Sequence, residues 1–169
     1  DLVVMGTQGA TGAKEIFLGT HTVHVIRKSK IPILVVPVGY GFKEIKSIIF
    51  PTDYGQLYNE KVLNLLIMLS NTHNSKLTVL HVKQEYNLVD EQKVNKKALM
   101  DYLKNINTDF VEERGKLMPE AIRTYIEEHQ SGLLVMVSRK HSFLERLIVK
   151  SNVDFIGYHT EIPFLVIPE

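Results

Sequence analysis

Residues 2–20 read LVVMGTQGATGAKEIFLGT, an apolar run that leads directly into a glycine-rich segment. The first four residues have the composition of a short buried strand. Gly6, Gly9, Gly19 and Thr20 follow at spacings that predict a turn and then a helix beginning near Thr20. Glycines leave backbone N–H groups accessible, and a helix N-terminus attracts negative charge, so this layout favours a phosphate. We therefore predict a nucleotide-phosphate site at these four residues.

A purely structural interpretation of the same glycines is also open. Glycine adopts backbone conformations that other residues avoid, so Gly6 and Gly9 would then serve only a tight strand-to-helix turn. Gly12 fits a flexible loop as well as a ligand site. The spacing favours the phosphate interpretation, because the Gly19-Thr20 pair supplies N–H groups and a hydroxyl at the start of the helix.

The strand-helix-strand layout occurs twice in the chain. Shifting the sequence by 131 positions without a gap aligns eight residues of the first copy with identical residues of the second. The identical pairs are Leu2/Leu133, Val4/Val135, Met5/Met136, Ile31/Ile162, Pro32/Pro163, Leu34/Leu165, Val35/Val166 and Pro37/Pro168. We therefore expect two copies of one structural unit.

The second copy lacks the glycines of the first. The counterparts of Gly6, Gly9, Gly19 and Thr20 are Val137, Lys140, Lys150 and Ser151. Side chains at these positions would fill the space that phosphates need, so only the first copy is predicted to bind them. Two interpretations are open for Ser138-Arg139-Lys140-His141: an anion site built from side-chain cations, or a solvated loop.

Strand and helix patterns alternate along the rest of the chain. Strands are predicted at 33–36, 48–50, 77–82, 109–111, 133–137 and 164–167, and helices at 20–28 and near 57–69, 94–103 and 119–126. Apolar residues at helical spacing mark the second and third helices, beginning at Leu57 and at Val94. This order predicts an α/β fold with an open, parallel five-stranded sheet and helices on both faces.

The glycine pattern, the strand before it and the following run Ile31-Pro32-Ile33-Leu34-Val35-Val36 closely resemble the universal stress protein family. The run Ser47-Ile48-Ile49-Phe50-Pro51-Thr52-Asp53 is similar to the opening strand of a domain of that family. The resemblance implies a tandem-domain protein with a truncated first domain, and a fold like that of the adenine nucleotide alpha hydrolases. Residues 1–38 would be the β-α-β remnant of the first domain, 39–44 a linker and 45–169 a complete second domain.

The resemblance also implies a function. Universal stress proteins of this type are regulatory proteins of the stress response, so we expect adenine-nucleotide binding, with ATP as the cofactor, and no catalysis. Asp53 is similar to the family's acidic contact to ribose or adenine, although an N-cap or turn role is equally open. An interaction module without nucleotide binding is the alternative for residues 45–169. An ATP-hydrolysing enzyme is less favoured, because the sequence contains neither Ser-Gly-Gly-x-Asp-Ser nor His-x-Gly-His.

Composition argues against several other classes of function. Twenty Lys and Arg against nineteen Asp and Glu give a formal net charge of +1, which does not favour a nucleic-acid binder. No apolar run approaches the roughly 20 residues of a membrane span, and the histidines lack the spacing of metal ligands. His81, at a strand end, suits either an adenine pocket or a polar core position. The family resemblance implies a cytoplasmic location.

Two apolar strands are expected to pair with each other. Ile33–Val36 and Phe164–Ile167 both end beside a proline and would leave open apolar edges if unpaired. Such edges promote aggregation, so we predict antiparallel pairing across a pseudo-twofold axis, as the resemblance implies for dimers and tandem repeats. These strands are therefore also the predicted surface for self-association.

Overall fold

The computed structural model describes residues 1–7, 20–83, 87–114, 118–139, 144 and 161–169. Strands and helices follow one another along them in the predicted order. In chain order they are β1 (Val3–Gly6), α1 (Thr20–Lys28), β2 (Ile33–Val36), β3 (Ser47–Pro51), α2 (Glu60–His73), β4 (Lys76–Lys83), α3 (Asp90–Leu103), β5 (Thr108–Arg114), α4 (Met118–His129), β6 (Leu133–Ser138) and β7 (Phe164–Pro168). Among these residues, no helix combines the length and apolar character that crossing a membrane requires.

The chain divides into two compact units, of which the first contains residues 1–43 and 133–169. Its strands lie in the order β1-β2-β7-β6. The outer pairs β1/β2 and β6/β7 are parallel, whereas the central pair β2/β7 is antiparallel. The predicted antiparallel pairing of these two strands is thus confirmed within one chain. Each of the two has a strand on both sides, so no apolar edge of either is left open.

The internal duplication is preserved in the strand register. Val3 of β1 pairs with Ile33 of β2. Their counterparts 131 residues later, Leu134 of β6 and Phe164 of β7, also pair. The central antiparallel pair aligns Leu34 with Leu165, which are counterparts in the duplication. A local pseudo-twofold axis therefore passes between Leu34 and Leu165 and relates the two strand pairs.

The second unit contains residues 44–132. Its three strands lie in the order β3-β4-β5 and are all parallel, with α2, α3 and α4 in the connections. Parallel strands buried by crossover helices carry continuous apolar runs, and β3 and β4 do so. Fully buried side chains of this unit include Ile48, Ile49, Phe50, Leu66, Leu77, Leu80, Leu103 and Ile122. The predicted α/β class with a mostly parallel sheet is confirmed.

The units do not follow the predicted domain boundaries. Pairing of β2 with β7 joins strands of both copies in one compact unit, so residues 45–169 are distributed over both units. The organisation into 1–38, 39–44 and 45–169 stays a prediction.

Two residues taken as markers of helices are exposed. Leu57 is exposed and precedes α2, because Asn59 caps that helix by accepting a hydrogen bond from Val62 N through Oδ1 at 2.9 Å. Val94 lies in α3 but is also exposed. The buried face of α3 is instead formed by Asn95, Leu99 and Leu103, which follow one another at helical spacing.

Gln130 provides a test of how α4 ends. It follows the last residue of the helix with a φ of 47°, while Ser131 N donates to Ile126 O at 3.2 Å, as in a left-handed helix terminus. A Cβ is unfavourable in this conformation, so we expect Gln130→Gly to raise the free energy of unfolding by about 0.5–1 kcal/mol. Urea denaturation checks this. Asn74→Gly, at the left-handed end of α2, is the control, with a smaller gain because Asn tolerates this conformation.

Candidate functional site

Gly6 is the last residue of β1 and pairs with Val36 of β2. Among the described residues, a Cβ added at Gly6 would meet Val36 O at 3.9 Å, which is an ordinary contact. The φ of Gly6 also lies outside the left-handed region that favours glycine. Contacts with the described residues and the backbone conformation of Gly6 therefore do not require glycine here.

The helix after the glycine-rich segment begins where the sequence predicts. α1 starts at Thr20, and Arg27 and Lys28 lie in its last turn, where cations offset the exposed carbonyls. Its first turn thus presents backbone N–H groups at the end of that segment. The other two predicted phosphate ligands, Gly9 and Gly19, lie outside the described residues, as does Gly12.

Sequence reasoning missed Thr7, which directly follows Gly6. Its side chain is 3% exposed. Thr7 N donates to Val36 O at 3.0 Å, and Thr7 Oγ1 accepts a hydrogen bond from Val38 N at 3.2 Å. The hydroxyl therefore joins the end of β1 to the chain beyond β2. A hydroxyl residue at the equivalent position of the second copy, Ser138, was the available signal.

Arg139 in the second copy directly follows β6 and pairs with the last residue of the chain. Arg139 Nη1 is 2.6 Å from Glu169 Oε2, and the two side chains are 14% and 13% exposed. The Arg139 charge is thus matched by an adjacent carboxylate, while the anion-site and solvated-loop interpretations of Ser138-Arg139-Lys140-His141 stay predictions. Val137, the counterpart of Gly6, is buried. Lys140, His141, Lys150 and Ser151 lie outside the described residues.

In the second unit, Asp53 follows β3 at the carboxyl end of the strand. Asp53 Oδ1 accepts a hydrogen bond from Gly55 N at 2.9 Å, the geometry by which aspartate stabilises a turn. The turn role left open by the sequence is therefore present. The side chain of Asp53 is half-buried, so it retains contact with solvent.

Side chains from β4 and α3 hold the backbone around Asp53. Three consecutive carbonyls each accept one side-chain donor. These contacts are His81 Nδ1 to Thr52 O at 3.0 Å, Gln92 Nε2 to Asp53 O at 2.7 Å and Asn95 Nδ2 to Tyr54 O at 2.8 Å. Gln92 is itself oriented, because its Oε1 accepts from Val89 N at 3.0 Å. His81 is buried in this network, which places it at a polar core position.

Tyr54 occupies the centre of this network in an unusual conformation. Its φ is 55°, which is uncommon for a bulky side chain, yet it is 1% exposed. Its ring centroid is 4.9 Å from that of His81, and Lys96 Nζ lies over the ring, 5.6 Å from the centroid. Lys96 also pairs with Glu112 at 2.9 Å. The buried ring thus occupies the space behind the Asp53 turn.

The buried hydroxyl of Tyr54 should make the free energy of unfolding depend on pH in the alkaline range. Burial, with a contribution from the Glu112 carboxylate, raises the pKa of Tyr54 above its ordinary value of 10.0. Above pH 10 the unfolded chain loses this proton while the folded chain keeps it, so the free energy of unfolding falls as pH rises. Tyr54→Phe should remove that part of the slope. Urea denaturation of both proteins between pH 8 and 11 checks this, and parallel slopes would contradict it.

Comparisons with known proteins place these features in a family. A model of the universal stress protein family matches residues 1–37 and 44–168. A universal stress protein of Methanocaldococcus jannaschii is 53% identical over 36 residues, which are 21% of this chain and 22% of the relative. A universal stress protein structure from Archaeoglobus fulgidus has a TM-score of 0.67 and 18% identity, with 99% of this chain and 60% of that chain covered.

A further universal stress protein structure from Archaeoglobus fulgidus, solved in complex with dAMP, has a TM-score of 0.48 and 16% identity over 75% of this chain and 98% of that chain. The chain thus spans about three fifths of the longer Archaeoglobus protein and about a fifth of the Methanocaldococcus protein.

Proposed function

Because the chain belongs to the universal stress protein family, we propose that it is a non-catalytic regulatory protein of the stress response that binds an adenine nucleotide. ATP is the proposed ligand, and its phosphates are held by Gly6, Gly9, Gly19 and Thr20. The single observation that carries this proposal is Gly6, whose glycine identity is not required by its backbone conformation or by contacts with the part of the chain that the structure describes. A backbone that closely approaches a phosphate explains it.

The chemistry of the proposed site fits a polyphosphate. Backbone N–H groups in the first turn of α1 are neutral donors that suit anionic oxygens, and the helix N-terminus adds a favourable field. Asp53 belongs to the copy without these glycines, so the turn role that its hydrogen bond from Gly55 N supports is proposed for it in place of a contact to ribose or adenine. No residue is assigned a role in ATP hydrolysis, since the sequence lacks the motifs of ATP-cleaving relatives.

The second copy is proposed to serve pairing and not nucleotide binding. Val137 replaces Gly6 and is buried, and Arg139 is held by Glu169, so the Arg139 charge is matched. These contacts support the interaction-module alternative for residues 45–169. The two separate stretches matched by the family model support the tandem organisation. A cytoplasmic location and self-association of the full protein complete the proposal.

The experiment is equilibrium binding of ATP to the full-length protein by calorimetry. We expect saturable binding with one nucleotide for each pair of copies, and Gly6→Ala should weaken it at least about tenfold, a loss of about 1.4 kcal/mol. The Cβ of this variant meets only an ordinary contact, so its thermal unfolding should stay close to that of the wild type. Gly41→Ala is the matched control, because nothing lies within 4 Å of its added Cβ.

Three outcomes would contradict the proposal. Equal affinity of Gly6→Ala and wild type would remove the phosphate site from this turn. Two nucleotides bound for each pair of copies would show that the second copy retains a site. Stoichiometric release of pyrophosphate by the intact protein would favour the enzyme alternative.

A further inference from the structure

The two copies differ in how their strand ladders end. In the second copy, Glu169 N donates to the main-chain oxygen of Ser138 at 3.0 Å, and Ser138 pairs with Pro168. The equivalent donor in the first copy is Val38 N, but it donates to the side-chain Oγ1 of Thr7 at 3.2 Å. Val38 and Glu169 are counterparts in the duplication. The side chain of Thr7 thus accepts in the first copy the hydrogen bond that the Ser138 carbonyl accepts in the second.

This exchange of acceptor coincides with the end of the strand. β6 continues to Ser138, whereas β1 ends at Gly6, one step earlier in the duplication. Because the Thr7 hydroxyl satisfies Val38 N, the Thr7 carbonyl is not needed as its partner, and the backbone can leave the sheet at this residue. Thr7 N still donates to Val36 O at 3.0 Å, so the point of departure is held from both sides.

We propose that Thr7 is a positioning residue for the proposed phosphate site at Gly6, Gly9, Gly19 and Thr20. Its hydroxyl takes the place of the carbonyl that would continue the ladder, at the residue from which the chain enters the glycine-rich segment. The inference rests on the proposed function, since it concerns the same site. The buried position of Thr7 makes this a role of hydrogen bonding within the protein and not of direct contact with solvent or ligand.

Thr7→Val tests the proposal in the full-length protein, because it removes the hydroxyl and keeps the shape of the side chain. We expect it to weaken ATP binding about tenfold, while adenosine binding changes less than about twofold, since only the phosphates use the turn. Thr7→Ser keeps the hydroxyl and should bind ATP like the wild type. Ser138→Ala is the matched control at the equivalent position, where the main-chain oxygen makes the contact.

Amide hydrogen exchange supplies a second readout. Exchange at Val38 N–H should accelerate in Thr7→Val and remain slow in Thr7→Ser, because Val38 N loses its acceptor only in the first variant. If Thr7→Val folds poorly, Thr7→Ala carries the same expectation, since it also removes the hydroxyl but adds no volume.

The outcomes separate this inference from the proposed function. ATP binding by the wild type with equal affinity in Thr7→Val would overturn the role of Thr7 alone. Parallel losses of ATP and adenosine affinity would indicate a general effect on folding and would also overturn it. Absence of ATP binding by the wild type would overturn the proposed function, and this inference with it.

Discussion

Tyr54→Ala is expected to lower the free energy of unfolding by about 3–5 kcal/mol, the usual result of deleting a large buried aromatic ring. Tyr54 is 1% exposed and packs on His81 with a centroid separation of 4.9 Å. Removing the ring leaves a cavity behind the Asp53 turn and takes away the aromatic partner of His81. Urea denaturation measures the effect, and a loss below about 1 kcal/mol would contradict it.

Two matched variants separate the roles of Tyr54. Tyr54→Phe keeps the ring and removes a hydroxyl that has no hydrogen-bond partner within the described part of the chain, so we expect a change below about 1 kcal/mol at neutral pH. Tyr54→Gly removes the ring but relieves the positive φ of 55°. It should therefore be about 0.5–1 kcal/mol more stable than Tyr54→Ala, a reversal of the usual order of Ala and Gly.

Phe164→Ala is expected to destabilise the first unit by about 3–5 kcal/mol. Phe164 is 0% exposed and lies in β7 between Val35 of β2 and Leu134 of β6. It therefore packs at the junction where the strands of the two copies meet. Because the antiparallel pair joins residues 1–38 to the second copy, loss of this side chain should also increase hydrogen exchange along β2.

Val4→Ala is the control for Phe164→Ala. Val4 lies in β1 of the same unit but is 61% exposed, so its truncation should change the free energy of unfolding by less than about 0.5 kcal/mol. Chemical denaturation and hydrogen exchange of the three proteins, including wild type, give the comparison. Equal effects of the two truncations would show that the central strand pair does not hold this unit together.

The strand pairing also bears on self-association. β2 and β7 were predicted to form a contact between copies, and in this chain each of them already has a neighbour on both sides. The pseudo-twofold contact is thus formed by two copies within one polypeptide. Self-association of the full-length protein remains a proposal, and it requires a surface other than the edges of these two strands.

Much of the architecture was predictable because it is encoded locally. The order of strands and helices, the start of α1 at Thr20 and the inward face of α4 follow from apolar runs and helical spacing. The duplication is also present in the register, since the same backbone pairs recur 131 residues later. Open apolar edges then favoured pairing β2 with β7. These features need only the alternation of residue types along the chain.

The site was less predictable. The sequence indicated Gly6, Thr20 and Asp53, but it did not indicate that Thr7 would replace a carbonyl as acceptor. Val94 correctly marked a helix, but the sequence did not indicate that its neighbour Asn95 is buried, because an apolar pattern cannot show that a polar side chain has a carbonyl to bind. The sequence also did not indicate that Arg139 would pair with Glu169, 30 residues away.

Local sequence patterns by themselves determined the α/β class, the two copies and the glycine-rich segment between a strand and a helix. Only the tertiary structure decided which polar groups meet: the carbonyls of Thr52, Asp53 and Tyr54 bind side chains 29, 39 and 41 residues away. Such contacts depend on how distant elements are brought together, and a buried polar group is stable only when that arrangement supplies its partner.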